Sequence, residues 1–182
     1  MNDAFITRSS RIVHQDRWMR VRLDAITRPS GAEGSYTVLE KADFAVIAAI
    51  EDGAIHLVSQ YRYPVGGRYW ELPQGSWQGD APLAATELAT RELREETGLT
   101  AGSMEEIGFF YTAYGYSNQG CHLFVASGLR FVGQQLDAEE EGLVSRSFAI
   151  DTVEAMIRAG EIKDATTIAA FGLLSLHGRL RT

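Results

Sequence analysis

The chain has 182 residues, 45% of them hydrophobic, and carries a formal net charge of −7 at pH 7. That length and apolar content suffice for one substantial core, whereas the acidic balance argues against a nucleic-acid-binding surface, which normally needs a basic patch. The single cysteine, Cys121, excludes an internal disulfide and fits a reducing compartment, and because no run resembles a membrane span or a signal-peptide core, we expect a cytoplasmic protein without a membrane partner.

The N-terminal half is predicted to form a series of β-strands. Strand-like patterns occupy four segments, residues 17–28, 35–39, 44–50 and 55–63. The third segment is a continuous apolar run, typical of a strand that is buried on both faces. Pro29-Ser30-Gly31 predicts a turn between the first two strands, and Asp52-Gly53 predicts a hairpin between the last two. A short extended segment, residues 70–73, leads into a loop at Gly75.

The C-terminal half mixes further strands with helices. An apolar residue recurs every four positions from Ala85 to Leu93, which predicts a helix over roughly 81–97 that ends at Gly98. The other predicted elements are strands near 105–112, 121–127 and 144–149, and helices over 151–159 and 164–177 with Asp151 and Asp164 at their N-termini. This order predicts an α/β protein with a mixed sheet and helices on both sides, preceded by a small antiparallel β piece.

Three carboxylates crowd the end of the first predicted helix. Glu92 and Glu96 are four residues apart and Glu92 and Glu95 are three apart, so the three side chains share one helix face. Like charges this close repel each other and raise their pKa values unless a cation holds them. Clustered carboxylate oxygens suit a hard divalent ion, Mg²⁺ or Mn²⁺. The alternative is a solvated acidic face, but carboxylates in a last helical turn oppose the helix dipole, which favours a functional cluster.

The same stretch resembles the second half of the Nudix box, G-x5-E-x7-R-E-U-x-E-E-x-G-U, in which U is a bulky aliphatic residue. The matching residues are Arg91, Glu92, Leu93, Glu95, Glu96, Gly98 and Leu99. The first half departs from the pattern, because Gly75 lies 16 positions before Arg91 where the box has 14, and Asp80 stands near the place of the first glutamate. The resemblance therefore implies a longer loop before the helix.

Further sequence segments resemble the branch of this family that hydrolyses ADP-ribose and nucleoside-diphosphate sugars. These segments are residues 60–64, 70–75 and 160–164, the last followed by Thr166-Thr167. The resemblance implies the Nudix α/β/α sandwich, with a hydrolase domain over 41–182 and an N-terminal β segment over 1–40 for dimerisation and substrate contacts. In that branch the N-terminal strands build a dimer, so a homodimer is implied by resemblance.

The chemistry that this resemblance implies is hydrolysis of the diphosphate bond in ADP-ribose or another nucleoside-diphosphate sugar. The products are a nucleoside monophosphate and a sugar phosphate. By the family pattern, Glu92 and Glu96 are direct ligands of Mg²⁺ or Mn²⁺, and Glu95 ligates or orients as part of the catalytic set. The main-chain carbonyl of Gln74 is a further expected ligand, since its loop lies beside this helix in the family fold.

The general base is implied to come from an acidic loop beyond the box. The candidates are Glu139, Glu140 and Glu141, and by register with the following strand we favour Glu139 as the base and Glu141 as a possible metal contact. The alternative is an acidic loop that is simply solvated.

Two residues are candidates for substrate contacts. Arg62 can hold phosphate oxygens bidentately, although a surface arginine on a strand is an alternative. Trp18, in polar surroundings, can stack on a nucleobase, and its alternative is a tryptophan of the core or of a dimer interface.

Other functions within the same fold stay open. A dinucleoside polyphosphate hydrolase is favoured by Tyr114 and Tyr116, which stand where that branch has aromatic residues. The ADP-ribose branch usually has a proline where this chain has Tyr114. It also has an acidic pair where this chain has Asn118-Gln119. A non-catalytic nucleotide sensor usually lacks box carboxylates, which this chain keeps. An isopentenyl diphosphate isomerase would need Cys121 in a motif that its surroundings lack.

Overall fold

In a computed structural model, which describes residues 4–77, 83–136 and 140–180, the chain forms the predicted α/β/α sandwich behind a separate N-terminal sheet. That antiparallel sheet has the order β1-β2-β3, with bounds Ile6–Gln15, Arg20–Thr27 and Glu33–Glu40. The two predicted strands correspond to β2 and β3. The sequence did not predict β1, because all ten of its residues are exposed and it therefore carries no burial pattern.

The main sheet is mixed and has seven strands. Their bounds are β4 Phe44–Glu51, β5 Ala54–Arg62, β6 Gly67–Glu71, β7 Gln74–Ser76, β9 Ser103–Tyr111, β10 Gly120–Ser127 and β12 Val144–Ala149. The order is β12-β5-β4-β10-β9, with β6 paired to β5 and β7 paired to β4, and only the β4–β10 pair is parallel among these described strands. A two-residue strand β8, Leu99–Thr100, pairs with β11, Arg130–Phe131.

Helices cover both faces of β4, which explains why this strand is apolar throughout. The helices are α1 Ala85–Thr97, α2 Ile150–Arg158 and α3 Ala165–Leu176. On one face of the sheet Ile47 packs with Leu88 and Leu93 of α1, and on the other face Val46 packs in a core that includes residues of α2 and α3. Seven of the eight β4 residues are buried, so the prediction of a doubly covered strand is confirmed.

The predicted turns and helix ends agree with the structure at four of five positions. The Pro29-Ser30-Gly31 turn lies between β2 and β3, with Gly31 at φ 85°. Asp52 and Gly53 both have positive φ, 50° and 72°, as a tight hairpin requires, and Gly98 ends α1 at φ 73°. Asp164 caps α3 by accepting a hydrogen bond from the Thr167 amide at 2.8 Å. The prediction of Asp151 as an N-cap was wrong, because β12 runs directly into α2 and the cap position falls on Ala149.

The N-terminal sheet is tied to the main domain through the loop between β9 and β10. Leu39 of β3 donates its amide to the Tyr116 carbonyl at 2.8 Å and forms a parallel bridge with Ser117. The Tyr36 hydroxyl donates to the Gly115 carbonyl at 2.7 Å. Among the described residues, no helix has the length and apolarity needed to cross a membrane.

Candidate active site: a carboxylate cluster between two clefts

Three glutamates converge where α1 meets the acidic loop that precedes β12. Glu92 and Glu96 come from α1 and Glu140 from the loop, and one carboxylate oxygen of each lies within 4.8 Å of the others. Glu96 is only 2% exposed. Three carboxylates at this spacing form an oxygen-only donor set, which suits Mg²⁺ or Mn²⁺ better than a softer metal.

The electrostatics of Glu96 show why this arrangement fits a cation. Burial raises the pKa of its carboxyl well above the ordinary value, and the neighbouring carboxylate of Glu92 raises this pKa further. Glu140 and Glu71 add to the rise, while one backbone hydrogen bond opposes it. A divalent ion between these carboxylates would offset both the desolvation and the repulsion, so the residues present fit such a metal.

The short strand β7 forms the floor beside this cluster. The Gln74 amide donates to Oε2 of Glu96 at 2.8 Å, which is the backbone bond that stabilises the ionised carboxylate. At Gly75, a Cβ would lie 2.2–2.4 Å from the three carboxylate atoms of Glu92. Only glycine therefore allows the strand to approach this carboxylate so closely. The metal role predicted for the Gln74 carbonyl stays a prediction.

The third box glutamate lies apart from the cluster. The Glu95 side chain is 28% exposed, and its Oε1 lies 3.8 Å from Nη2 of Arg91. The Arg91 guanidinium in turn stacks over the Trp77 ring, 4.6 Å from its centroid. This contact holds the residues just beyond β7 against α1.

The acidic loop contributes a residue that the sequence offered only as one of three candidates. Glu140 brings its carboxylate to Glu92 and Glu96, whereas Glu141 is exposed. Glu139, the favoured general base, lies outside the described residues. The catalytic role of Glu139 and the metal role of Glu141 therefore stay predictions.

Arg62, the predicted phosphate contact, is paired with a buried glutamate. Its Nη2 lies 2.5 Å from Oε1 of Glu71, whose residue is only 3% exposed. Burial raises the pKa of Glu71, and the charge of Arg62 works against that rise. The Arg62 side chain keeps 40% of its surface exposed, so it can still face a ligand.

A hydrogen-bond network joins this ion pair to the cluster and to the start of α3. The Gln74 side-chain amide donates to Glu71 at 3.3 Å and to Asp164 at 3.4 Å. The buried Thr167 hydroxyl donates to Asp164 at 2.7 Å and accepts from the Leu72 amide at 2.9 Å. The network fixes the chain just before β7, and therefore the position of the Gln74 amide at Glu96.

A cleft adjoins each end of the short strand β7. One, of about 390 Å³, is lined by Trp18, Lys41 and Asn118 and reaches Ser76 and Trp77. The other, of about 340 Å³, is lined by Arg62, Tyr69, Glu71 and Lys163 and reaches Gln74. Because Gln74 faces one cleft and Ser76 the other, the strand that touches the carboxylate cluster also connects both.

Trp18, the predicted stacking residue, stands at the first cleft with 40% of its surface exposed. It lies in the turn between β1 and β2, where Asp16 Oδ1 accepts hydrogen bonds from the amides of Trp18 and Met19 at 2.7 and 2.9 Å. The Arg17 guanidinium lies 4.4 Å from the centroid of the Trp18 ring. The ring is thus held in place at the cleft and is not part of the core.

Sequence reasoning missed several residues that build the site. They are Glu71, Trp77, Lys163 and Thr167, together with the close approach of Gly75 to Glu92. Glu71 and Gly75 belong to the segment over 70–75, and Lys163 and Thr167 to the segment over 160–167, that carried part of the family resemblance, so a signal was present for four of these residues. Their roles depend on contacts with distant parts of the chain, which local patterns do not show.

The metal-free protein is expected to lose stability as pH rises. Because burial raises the pKa of Glu96 in the folded state, the folded chain holds this proton at a pH at which the unfolded chain releases it. The stabilising contribution is therefore present below the unfolded value, about 4.3, and is lost as pH rises towards the folded pKa. Burial also raises the pKa of Glu71, so this carboxyl changes the stability with pH in the same direction.

The measurement is the thermal midpoint in chelator, from about pH 5 to 8, for the wild type and for Glu96→Gln. As pH rises, the thermal midpoint of the wild type should fall relative to that of Glu96→Gln. Added Mg²⁺ should reduce this difference between the two midpoints. The comparison with the variant removes the contribution of His56, whose pKa burial lowers and which costs stability as pH falls. If the two midpoints depend on pH in the same way, the charge of Glu96 does not destabilise the folded protein.

Two family models together match almost the whole chain. The model described as NUDIX domain matches residues 40–171. The model described as nucleoside diphosphate sugar hydrolase N-terminal domain matches residues 5–39.

Known proteins similar to this chain carry related activities in their names. An ADP-ribose pyrophosphatase of Mycobacterium tuberculosis is 34% identical over 95% of this chain and 83% of its own length. An ADP-ribose pyrophosphatase of Bacillus subtilis is 31% identical, over 75% of this chain and 74% of its own length. A GDP-mannose pyrophosphatase of Yersinia enterocolitica is 28% identical over 71% of each chain. A solved structure, described as an ADP compounds hydrolase, superposes with a TM-score of 0.82 over 96% of each chain at 20% identity, which supports the fold.

Proposed function

This chain belongs to the Nudix hydrolase family, and from that premise we propose that it hydrolyses the diphosphate bond of a nucleoside-diphosphate sugar, with ADP-ribose as the leading substrate. The products are a nucleoside monophosphate and a sugar phosphate. The observation that carries the proposal is the convergence of Glu92, Glu96 and Glu140 beside β7. The names of the relatives and the match of the N-terminal family model support this substrate class.

We propose Mg²⁺ or Mn²⁺ as the cofactor, held by Glu92, Glu96 and Glu140 with Glu141 and the Gln74 carbonyl as further candidates. When bound, such an ion neutralises charge on the diphosphate and lowers the pKa of a coordinated water. The chain must supply the remaining functions. Glu95 serves as a metal ligand or as an orienting residue. Glu139 acts as the general base and accepts the proton of the attacking water.

The two clefts supply places for the two halves of the substrate. Trp18 at the first cleft offers a ring for stacking on the nucleobase, which is worth about 1–3 kcal/mol for a base. Arg62 lies at the second cleft beside β7 and has five N–H donors, so it can bind phosphate oxygens while it keeps its contact with Glu71. The diphosphate would then lie near β7, between the clefts.

Substitution of the three loop glutamates should separate their roles. Glu140→Gln is expected to raise the Mg²⁺ concentration needed for half-maximal rate by about tenfold or more, since metal-site changes cost about 10–100-fold in affinity. Glu139→Gln should lower kcat without weakening substrate binding. Glu141→Gln should have a smaller effect on the metal requirement than Glu140→Gln, because Glu141 is exposed.

The measurement is the rate as a function of Mg²⁺ at saturating substrate, together with the substrate KM. If Glu141→Gln raises the Mg²⁺ concentration needed for half-maximal rate and Glu140→Gln does not, the metal ligand is Glu141 and not Glu140. An unchanged kcat in Glu139→Gln would move the base to another residue.

The function is tested with a substrate panel in Mg²⁺, Mn²⁺ or chelator. The panel contains ADP-ribose, ADP-glucose, GDP-mannose, diadenosine polyphosphates and nucleoside triphosphates. Metal-dependent release of a nucleoside monophosphate from a diphosphate sugar is the expected result. Preference for a diadenosine polyphosphate would identify the dinucleoside polyphosphate hydrolase, for which the exposed Tyr114 and Tyr116 offer stacking surfaces. No turnover, with a nucleotide still bound, would identify the sensor.

We propose that residues 1–40 form a segment for dimerisation and that the enzyme is a cytoplasmic homodimer. The edge strand β1 is exposed along its whole length, and Ile6, Ile12 and Val13 present between 44% and 48% of their surface. An edge strand with unpaired backbone groups can pair with another chain, and exposed aliphatic side chains on it favour such an interface. Light scattering after size-exclusion chromatography tests this, and a monomer at micromolar concentration would overturn the dimer.

A further inference from the structure

The cleft that contains Arg62 has the form of a small-molecule site. Its volume of about 340 Å³ falls in the range of ligand pockets, which are mostly apolar with a few placed polar groups. Pro64, Val65 and Tyr69 supply an apolar wall, and Lys163 and Arg62 supply cationic groups. The proposed reaction assigns no role to Lys163.

Lysine is rare in this chain, which makes its position informative. The sequence has 17 basic residues, and only two of them, Lys41 and Lys163, are lysines. Each of the two lines one of the clefts beside β7. Both lysine ammonium groups of the chain therefore border the clefts beside β7.

The charge of Lys163 is the one positive charge in this cleft that lacks a carboxylate partner among the described residues. Its ammonium lies 5.1 Å from the centroid of the Tyr69 ring, a cation–π contact that leaves the N–H donors available. Arg62 is paired with Glu71. The Asp164 carboxylate next to the lysine is engaged at the start of α3, where Oδ2 accepts hydrogen bonds from the amide and hydroxyl of Thr167.

The segment that carries Lys163 is held in place on both sides. Ile162 is 1% exposed and belongs to the core, and Asp164 begins α3. The lysine therefore projects from a fixed point of the backbone, which reduces the entropy lost when a ligand is bound.

The two clefts differ in chemistry, and the difference assigns the halves of a diphosphate-linked substrate. The first cleft offers the indole rings of Trp18 and Trp77, which suit a flat nucleobase. The second offers an ammonium, a guanidinium and the Gln74 side chain, which suit the hydroxyls and phosphate of a sugar phosphate. Gln74 also contacts Glu96 through its backbone amide, so this cleft adjoins the carboxylate cluster.

We propose that the cleft around Lys163 binds the sugar phosphate half of the substrate and that Lys163 is a specificity-determining residue for it. Its ammonium donates hydrogen bonds to hydroxyl or phosphate oxygens of the group that leaves the nucleoside monophosphate. This inference rests on the proposed function, because it takes its ligand from the products of that reaction.

The test measures the binding of each product separately in Mg²⁺, by ligand-observed NMR titration, so that no turnover is needed. The probes are ribose 5-phosphate, glucose 1-phosphate and AMP. Lys163→Met should weaken the binding of at least one of the two sugar phosphates about 10- to 100-fold, the range for loss of a charged hydrogen bond. The affinity for AMP should change by no more than about twofold. Lys163→Arg, which keeps the charge, should retain part of the affinity.

Two controls make the result specific. Lys41→Met removes the other lysine and should leave sugar phosphate affinity unchanged, and Trp18→Ala should weaken AMP alone. The thermal midpoint of Lys163→Met should lie close to that of the wild type, because the ammonium loses only its cation–π contact with Tyr69, worth about 0.5–1 kcal/mol at an exposed site. In kinetics on the best diphosphate sugar of the panel, Lys163→Met should raise KM more than it lowers kcat.

Several outcomes would overturn the assignment. They are unchanged sugar phosphate affinity in Lys163→Met, a loss that falls on AMP alone, or a wild type that binds neither sugar phosphate. If the wild type hydrolyses a diphosphate sugar while Lys163→Met keeps both affinities, the inference fails and the proposed function stands. If no panel compound is hydrolysed while Lys163→Met weakens a sugar phosphate, the proposed function fails and the binding site stands.

Discussion

Glu96→Gln is expected to lower the rate of diphosphate hydrolysis by roughly 10²–10³-fold or more, the range seen when one preorganised electrostatic contact is removed. Glutamine keeps the volume of the side chain, and its carbonyl oxygen can still accept the 2.8 Å hydrogen bond from the Gln74 amide. What is lost is one negative charge of the three that converge at the proposed metal position. The fold should therefore survive while metal binding and turnover fail.

The same substitution should not weaken the metal-free protein, and this separates a metal role from a structural one. Glu96 is 2% exposed and close to two other carboxylates, so its ionised form is costly without a cation. Thermal unfolding in chelator should give a midpoint at neutral pH that equals or exceeds the wild type. Added Mg²⁺ should raise the wild-type midpoint and leave that of the variant nearly unchanged.

Two further glutamates of α1 serve as controls. Glu87→Gln, in the exposed first turn of the helix, should leave rate and metal requirement unchanged. Glu95→Gln should cost less than Glu96→Gln, because Glu95 lies outside the clustered carboxylates. Near-wild-type turnover of Glu96→Gln at saturating Mg²⁺ would refute the metal assignment, and an equal loss in Glu95→Gln would place all three box glutamates at the metal.

The helix geometry explains why the sequence could predict part of this site. Spacing alone placed Glu92, Glu95 and Glu96 on one side of α1. Because each residue turns the helix by about 100°, Glu95 and Glu96 diverge, and only Glu96 falls on the side of the buried Ala89 and Leu93. The choice between the two neighbours depends on where the sheet lies, which the local pattern does not fix.

Residues that reach the site from distant parts of the chain were the least predictable. Glu139, Glu140 and Glu141 are consecutive and chemically identical, so only the path of the loop decides that Glu140 meets α1. The pairing of Arg62 with Glu71 joins two residues that the register of β5 with β6 does not place opposite each other, since Arg62 lies opposite Gly67 and Glu71 opposite Val58. By contrast, the apolar run of β4 and the Asp52-Gly53 turn were predicted well, because burial and backbone conformation there are set by local chemistry.

Gly75→Ala is expected to reduce turnover by about 10²-fold, the cost of a displacement near 1 Å at a reacting centre, while the fold remains intact. A methyl group at this position would lie 2.2–2.4 Å from the carboxylate of Glu92, which must move away. The clash falls on the flexible end of a side chain and not on backbone or core. The cost in stability should therefore be small and the loss of the metal position large.

The measurement pairs turnover with Mn²⁺ binding, followed by the decrease in the electron paramagnetic resonance signal of free Mn²⁺. Gly75→Ala should bind Mn²⁺ more weakly than the wild type, and its thermal midpoint in chelator should lie close to the wild type. The matched control is Gly172→Ala in α3, where a Cβ meets nothing within 4 Å. That change should keep full activity and add about 0.5–1 kcal/mol of stability, as expected for alanine in a helix.

The Gly75 prediction also tests whether Glu92 must occupy one particular position. If Gly75→Ala keeps wild-type turnover and Mn²⁺ affinity, the Glu92 carboxylate can bind from a displaced position and the close approach of β7 to α1 has no catalytic purpose. If affinity falls but excess Mn²⁺ restores the rate, the glycine serves metal binding alone. A rate that stays low at saturating Mn²⁺ would mean that β7 also positions the diphosphate, in keeping with its place between the two clefts.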